Sequence, residues 1–150
     1  KVIAEILKKT NLNLNIRSGL NIFDSNMNTA STDDPLDHLI HSEFYSVDQR
    51  VMDACKEAKR VIAIGTTATR ALESVAASGQ LTGRTSLFIT PGFQWKVVDM
   101  MLTNFHLPKT SLLLMIESFI GTRWRDIYAE AISEQYRFLS FGDAMLLARS

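Results

Sequence analysis

Residues 60–65, Arg-Val-Ile-Ala-Ile-Gly, constrain this chain more than any other stretch. Four apolar residues, two of them isoleucine, run without polar interruption into a glycine. A strand exposed on one face would alternate apolar and polar residues. An unbroken β-branched run is what a strand buried on both faces requires, and parallel sheets bury their strands that way. A helical pattern follows at once. Ala68, Ala71, Leu72, Val75 and Ala76 fall on one stripe, and Gly79 supplies a C-terminal stop.

The flanking segments extend the pattern. Ser46 followed by Gln49 is a capping-box arrangement, and Val47, Val51, Ala54, Cys55 and Ala58 mark one face of the helix it would start. "TSLFI", residues 85–89, reads as a further strand. Helix, strand, helix, strand in this order predicts an α/β fold, a parallel sheet with helices on its faces. After the Thr90-Pro91-Gly92 turn, "FQWKVVD" places Phe93, Trp95 and Val97 on one side. Thr110 or Ser111 caps a helix that ends at Gly121. Thr122 can cap the next, with Trp124, Ile127, Tyr128, Ala131 and Ile132 inward. "AMLLA", residues 144–148, reads as a last strand. At the other end, residues 1–9 read as the end of a helix, "LNLNI" (12–16) as a strand, and residues 21–35 as a long polar loop.

Bulk properties narrow the function classes. The chain has 150 residues, enough for one domain, and 46% hydrophobic against 21% charged residues excludes a disordered chain. Sixteen basic and sixteen acidic side chains cancel, so a globally basic nucleic-acid binder is not indicated. Local basic candidates remain: Lys96, Lys109, Arg123, Arg125 and Arg137. The one cysteine, Cys55, cannot form an internal disulfide, which fits a reducing compartment. The longest apolar run, Leu112–Ile116, is too short to span a bilayer. The chain starts at Lys1 inside a helical pattern and reads as a piece of a longer protein.

Four segments carry candidate chemistry. In Gly65-Thr66-Thr67-Ala68-Thr69-Arg70 a buried strand meets a helix start, where orphan N–H groups favour anions and ligands of open α/β sheets bind. The alternative is a tight turn with a threonine cap and an exposed Arg70–Glu73 pair. Asp37-His38-Leu39-Ile40-His41-Ser42-Glu43 holds two imidazoles and a carboxylate. They suit proton transfer, a zinc or iron site, or a polar turn. In Thr103-Asn104-Phe105-His106-Leu107-Pro108-Lys109, polar groups are denser than a helix entry needs, and Asn104 and Thr103 can fix His106. Tyr136-Arg137-Phe138-Leu139-Ser140-Phe141-Gly142-Asp143 could stack on bases and hold a phosphate, or be an amphipathic strand and turn.

Together the segments "DHLIHSEFY", "RVIAIGTTATRALES", "LFITPGFQWKVVDMMLTNFHLPKTSLLLMI" and "YAEAISEQYRFLSFGDAMLL" resemble the S-adenosylmethionine:tRNA ribosyltransferase-isomerases of queuosine biosynthesis. They run in the family order from Asp37 to Leu147. The resemblance implies transfer and isomerisation of the ribosyl unit of S-adenosylmethionine onto the 7-aminomethyl-7-deazaguanine at the tRNA wobble position. The product would be epoxyqueuosine-tRNA, with adenine and methionine released. It implies a Rossmann-like, mostly parallel sheet with helices on both faces. Residues 1–150 would form a single α/β domain, part of a longer two-domain protein whose β-barrel domain is absent from this stretch. It implies S-adenosylmethionine as ribosyl donor, no metal, tRNA as partner, no membrane and a cytoplasmic setting.

Such chemistry needs a base beside the sulfonium, an acid for adenine and fixed donors for developing charge. His41, Glu43 and His106 are the candidates for proton transfer. Gly65, Thr66, Thr67 and Arg70 would hold the methionine carboxylate or a phosphate, and Asn104 and Asp143 would fix ribose hydroxyls. His38, Pro91, Gly92, Thr103, Lys109 and Arg137 are further substrate-binding candidates within the matched motifs. "LNIRSGLNIF" departs from the family's pattern: Asn15 stands where a histidine is expected, and Arg17 intrudes. An amide cannot exchange a proton near neutral pH, so a divergent relative that binds S-adenosylmethionine or a nucleotide without turnover is the alternative. A metal-dependent hydrolase using His38, His41 and Glu43 is a third reading.

Overall fold

The computed structural model describes residues 20–21 and 42–150. The helix expected over 1–9, the strand over 12–16, most of the long polar loop, His38 and His41 lie outside the described residues. Elements follow in the order β1 (Leu20–Asn21), β2 (Glu43–Val47), α1 (Gln49–Glu57), β3 (Ile62–Ile64) and α2 (Thr66–Ser78). Then come β4 (Thr82–Thr85), β5 (Met100–Asn104), α3 (Ser111–Ile120), a 3₁₀ turn (Gly121–Arg123), α4 (Trp124–Ser133) and β6 (Ala144–Ala148).

The architecture is mixed α/β. Two three-stranded sheets are present among the described residues, ordered β1-β2-β4 and β3-β5-β6. Only β3–β5 is parallel; β1–β2, β2–β4 and β5–β6 are antiparallel. A mostly parallel sheet is therefore not what these residues display. The difference arises after α2. Gly79 ends that helix in the left-handed region at φ 74°, as expected. The chain then enters β4, Thr-Gly-Arg-Thr, which pairs with β2 rather than with β3. "TSLFI" contributes only Thr85 to a strand, because the pairing is made by the polar residues before it. Residues 86–99 cross back without regular structure, and β5 then lies beside β3 with Ile62 opposite Met100 and Ile64 opposite Leu102.

Other local expectations resolve on simple grounds. Ser46 does not cap α1. It lies in β2, its hydroxyl bonded to Thr82 at 3.0 Å, and Asp48 is the cap, accepting the Arg50 N–H at 2.8 Å. Asp48 wins because a carboxylate two residues later reaches the first orphan N–H while Ser46 is committed to the ladder. Thr110 caps α3 as expected and Gly121 follows it. Thr122 caps nothing; a 3₁₀ turn joins α3 to α4 instead. On α4, Tyr128 and Ala131 are buried, but Ile132 is exposed, beyond the edge of the stripe. β6 matches "AMLLA" in full.

The core lies where α2 and α3 pack against the β3-β5-β6 sheet. Phe119, Ile116, Met101 and Val98 are fully buried there. Removing a side chain such as Phe119 would cost about 3–5 kcal/mol. Glu73 is as buried as these, and among the described residues it is the one fully buried carboxylate. Its Oε1 accepts the N–H of Val97 and Val98, both at 2.9 Å, and its Oε2 accepts that of Lys96 at 3.0 Å. A carboxylate with fixed donors on both oxygens can be buried without orphaned lone pairs. This overturns the exposed Arg70–Glu73 pair. Glu73 points inward and closes the irregular segment between β4 and β5 onto α2.

Candidate active site at the carboxyl ends of β3 and β5

The parallel pair fixes the position of two candidate motifs. The chain leaves β3 at Gly65 and leaves β5 at Asn104, on the same edge of the sheet. The Gly65 N–H donates to Leu102 O at 2.8 Å, so glycine and the end of β5 are in direct contact. Gly65 has φ 90° and ψ 151°, a conformation that other residues avoid, and the space where a Cβ would stand is open. α2 begins at the next residue, presenting its free N–H groups at this edge. Thr69, fully buried, donates its hydroxyl back to Gly65 O at 3.0 Å and fixes the turn. Thr66 and Thr67 occupy the first turn, and Thr67 is exposed.

β6 brings in a third segment. Asn104 lies opposite Ala144 in the antiparallel ladder, and its amide donates to the backbone oxygen of Asp143 at 3.1 Å. The carboxylate of Asp143 is engaged elsewhere. It accepts the Arg137 N–H at 2.8 Å and pairs with the Arg137 guanidinium at 3.1 Å. These bonds hold its pKa below the usual carboxylate range, with the guanidinium the largest cause. The Tyr136–Asp143 segment is thus a closed loop rather than an amphipathic strand. Leu139 donates its N–H to Phe105 O at 2.9 Å, and Gly142 N–H returns to Leu139 O at 2.9 Å. Leu139 takes a positive φ of 69° within these turns, and Gln135, at φ 58°, turns the chain out of α4 just before the loop. Phe141 projects from the loop almost wholly into solvent.

His106 follows Phe105, a buried ring that anchors the loop after β5. Phe105 meets Tyr128, Tyr136 and Phe138 with centroids 5.4, 5.7 and 5.3 Å away. The His106 imidazole bonds through Nε2 to Thr103 Oγ1 at 2.9 Å, and its backbone N–H donates to the Tyr128 hydroxyl at 3.0 Å. Partial burial lowers its pKa below the ordinary 6.5, which favours the uncharged ring. Burial also raises the Tyr128 hydroxyl above its ordinary value of 10.0. Leu107, Pro108 and Lys109 are exposed, and Lys109 adopts φ 59° just before the Thr110 cap. The Thr110 hydroxyl donates to Leu107 O at 2.9 Å, closing the entry to α3.

Glu43 and Arg70 form a separate cluster. Arg70 Nη1 lies 2.6 Å from Glu43 Oε2, and Arg70 Nε donates to Leu87 O at 3.2 Å. Arg70 thereby joins the N-terminal part of α2 to the start of β2 and to the segment beyond β4. Its Nη2 is buried and has no partner among the described residues. Pro91 and Gly92 are exposed, in a turn closed by Phe93 N–H to Thr90 O at 3.0 Å, and no hydrogen bond ties them to Gly65 or His106. The sequence-based candidates thus divide. Gly65, Thr103, Asn104, His106 and the backbone of Asp143 are brought together. Glu43 with Arg70, and Pro91 with Gly92, stand on neighbouring segments. Lys109 and the Arg137 side chain are on the surface.

Two interactions are not legible in the sequence: Tyr128 reads there as a core-stripe residue of α4, and Glu73 only as half of an exposed pair in the alternative reading of the Gly65–Arg70 segment. The available signal for Tyr128 was its hydroxyl, since a tyrosine on a buried stripe needs a partner that phenylalanine would not. Glu73 carried no signal, because its three donors are backbone groups more than twenty residues away. Among the described residues no cluster of three or more His, Cys, Asp or Glu side chains is arranged to hold a metal ion. Likewise no helix among them is long and apolar enough to cross a membrane.

Comparison with known proteins returns consistent matches. Residues 6–147 match a family model described as queuosine biosynthesis protein. An S-adenosylmethionine:tRNA ribosyltransferase-isomerase of Polynucleobacter asymbioticus is 51% identical over 117 residues, covering 75% of this chain and 34% of that protein. A protein of the same name from Rubrobacter xylanophilus is 51% identical over 112 residues, covering 74% and 34%. The crystal structure of an S-adenosylmethionine tRNA ribosyltransferase from Thermotoga maritima superposes with a TM-score of 0.66 at 43% identity, covering 71% of this chain and 41% of that one. The chain spans about a third of the length of the curated relatives it matches.

Proposed function

We propose, from the premise that this chain belongs to the queuosine biosynthesis protein family, that it supplies part of the active site of an S-adenosylmethionine:tRNA ribosyltransferase-isomerase. The reaction moves the ribosyl unit of S-adenosylmethionine onto the aminomethyl group of a 7-deazaguanine at the tRNA wobble position. The ribose is rearranged on the way, and adenine and methionine leave. The observation that carries this reading is the meeting of Gly65 and the Thr103–His106 segment at the carboxyl ends of β3 and β5, joined by the Gly65–Leu102 hydrogen bond. Crevices at that position are where open α/β sheets take their ligands.

Each group then has chemistry to perform. The sulfonium acidifies the neighbouring carbon, and neutral His106 is able to accept a proton there or to pass one to adenine. The free N–H groups at the start of α2, beside Gly65, suit the methionine carboxylate. The Asn104 amide, fixed by Asp143 O, keeps its own oxygen for a ribose hydroxyl. Arg137 and Lys109 are candidates for tRNA phosphate. His38 and His41 stay in the proposal on the family motif alone. Glu43 is a weaker base candidate than His106, because its Oε2 is already engaged by the Arg70 guanidinium at 2.6 Å.

The finer fold reading belongs to the same proposal. β3–α2–β5 is a parallel crossover unit of the kind from which a Rossmann-like sheet is built. The residues would then be the α/β part of a longer protein that also has a β-barrel domain, acts on tRNA in the cytoplasm and needs no metal.

The test is the product. Full-length protein incubated with S-adenosylmethionine and tRNA bearing the deazaguanine should yield epoxyqueuosine by nucleoside mass spectrometry, with equimolar adenine and methionine. Asn15 and Arg17 favour one second reading, a relative that binds without turnover. Saturable S-adenosylmethionine binding with no adenine released would support that reading and overturn the first.

A further inference from the structure

We propose that Tyr128 is a positioning residue for His106, acting with Thr103 as a two-point clamp that leaves Nδ1 as the working nitrogen of the ring. The inference rests on the proposed role of His106, and it gives a function to a residue that the sequence places only on the inward stripe of a helix.

The clamp has two independent anchors. Tyr128 Oη accepts the His106 backbone N–H at 3.0 Å, which fixes where the residue begins. Thr103 Oγ1 bonds Nε2 at 2.9 Å, which fixes the rotation of the ring. Nδ1 has no hydrogen-bond partner among the described residues. Both anchors are themselves buried and packed. Tyr128 and Thr103 are each about 5% exposed. The Tyr128 ring is boxed by Trp124, Phe105 and Phe138 with centroids 5.5, 5.4 and 5.8 Å away. Thr103 sits in β5, paired with Met145 of β6.

The hydroxyl of Tyr128 is what makes this more than packing. Its ring would fill the aromatic box equally well as phenylalanine. Without the oxygen, the His106 N–H would have no described acceptor, and the residue before Leu107-Pro108 would be free to move. A shift of about 1 Å in a proton-transferring group is enough to lose on the order of a hundredfold in rate. The threonine hydroxyl can donate to Nε2 or accept from it, so this bond fixes the rotation of the ring and keeps Nε2 occupied, and Nδ1 is the nitrogen left free, as acceptor or donor according to the tautomer.

The experiment is a mutant cycle in the full-length enzyme, measured by adenine release with saturating tRNA. Tyr128→Phe should lower kcat about tenfold while KM for S-adenosylmethionine changes less than twofold. His106→Ala should lower kcat about a hundredfold, and the double variant should be no slower than His106→Ala alone. Thr103→Val should mimic Tyr128→Phe, and Thr103→Ser should restore activity, which keeps the clamp testable if Tyr128→Phe folds poorly. Full activity in both Tyr128→Phe and Thr103→Val, or additive losses in the double variant, overturns the clamp while leaving His106 in place. Full activity in His106→Ala overturns the site reading itself and the clamp with it.

Discussion

Arg70 Nη1 stands 2.6 Å from Glu43 Oε2, joining the N-terminal part of α2 to the first residue of β2. The pair is more enclosed than an ordinary surface ion pair: the arginine side chain is 13% exposed and the glutamate 32%. Because Arg70 also reaches Leu87 O, losing the arginine would release three chain segments at once. Glu43→Gln keeps a hydrogen-bond acceptor and should cost about 1 kcal/mol in chemical denaturation of the full-length protein. Arg70→Ala should cost about 3 kcal/mol, since it strands the carboxylate and Leu87 O. Equal effects of the two would contradict Arg70 as the hub.

Glu73 makes the sharpest stability prediction. It is fully buried and accepts three backbone N–H groups of Lys96, Val97 and Val98. Glu73→Ala should destabilise by about 3–5 kcal/mol, through orphaned donors and an added cavity. Glu73→Gln turns one acceptor oxygen into a donor facing N–H groups, and should recover less than half of that loss. Thermal or denaturant unfolding decides it, and near-wild-type stability of Glu73→Gln would show that the donors are satisfied in another way.

Gly142 is required for space rather than for a special φ. A Cβ there would strike the Arg137 carbonyl oxygen and come within 2.6 Å of Phe138 O, both backbone atoms that cannot swing aside. Gly142→Ala should open the loop, break the Asp143–Arg137 contacts and cost about 1–3 kcal/mol. Faster amide exchange at Arg137 and Asp143 is the direct observable; unchanged protection there would contradict the closed loop.

His106 predicts a pH dependence of stability. Burial lowers its pKa in the folded chain below the ordinary 6.5. Between those two values the unfolded chain binds more protons, so stability rises with pH across the window. Its contribution is complete above the unfolded value and is lost as pH falls through the folded one. The midpoint of unfolding should therefore drop more steeply between pH 7 and pH 5 for wild type than for His106→Gln. Parallel curves would mean that the imidazole is not desolvated.

The sequence was most readable where one short segment decides the outcome by itself. Arg60–Gly65 announced β3 and the helix after it, although among the described residues β3 lies at a sheet edge and Ile64 is 48% exposed, not buried on both faces as expected; Thr110 and Gly121 bracketed α3; "AMLLA" is β6. It was least readable where pairing depends on distant partners. β4 is Thr-Gly-Arg-Thr, a poor strand by propensity, and it exists because β2 offers it a ladder. Asp48 displaced Ser46 as a cap because Ser46 belongs to that ladder. The site shows the same split. Thr103, Asn104 and His106 were visible as one dense polar cluster, whereas Tyr128 and Glu73 act through backbone groups that no spacing rule connects to them.

On the proposed function, His106, at the carboxyl end of β5, moves a proton in the reaction. The most direct measurement is single-turnover adenine release by the full-length enzyme with tRNA carrying the deazaguanine, comparing wild type with His106→Ala. A loss of about a hundredfold or more, with S-adenosylmethionine binding kept within a few fold, is the predicted result. Adenine release at the wild-type rate would contradict it.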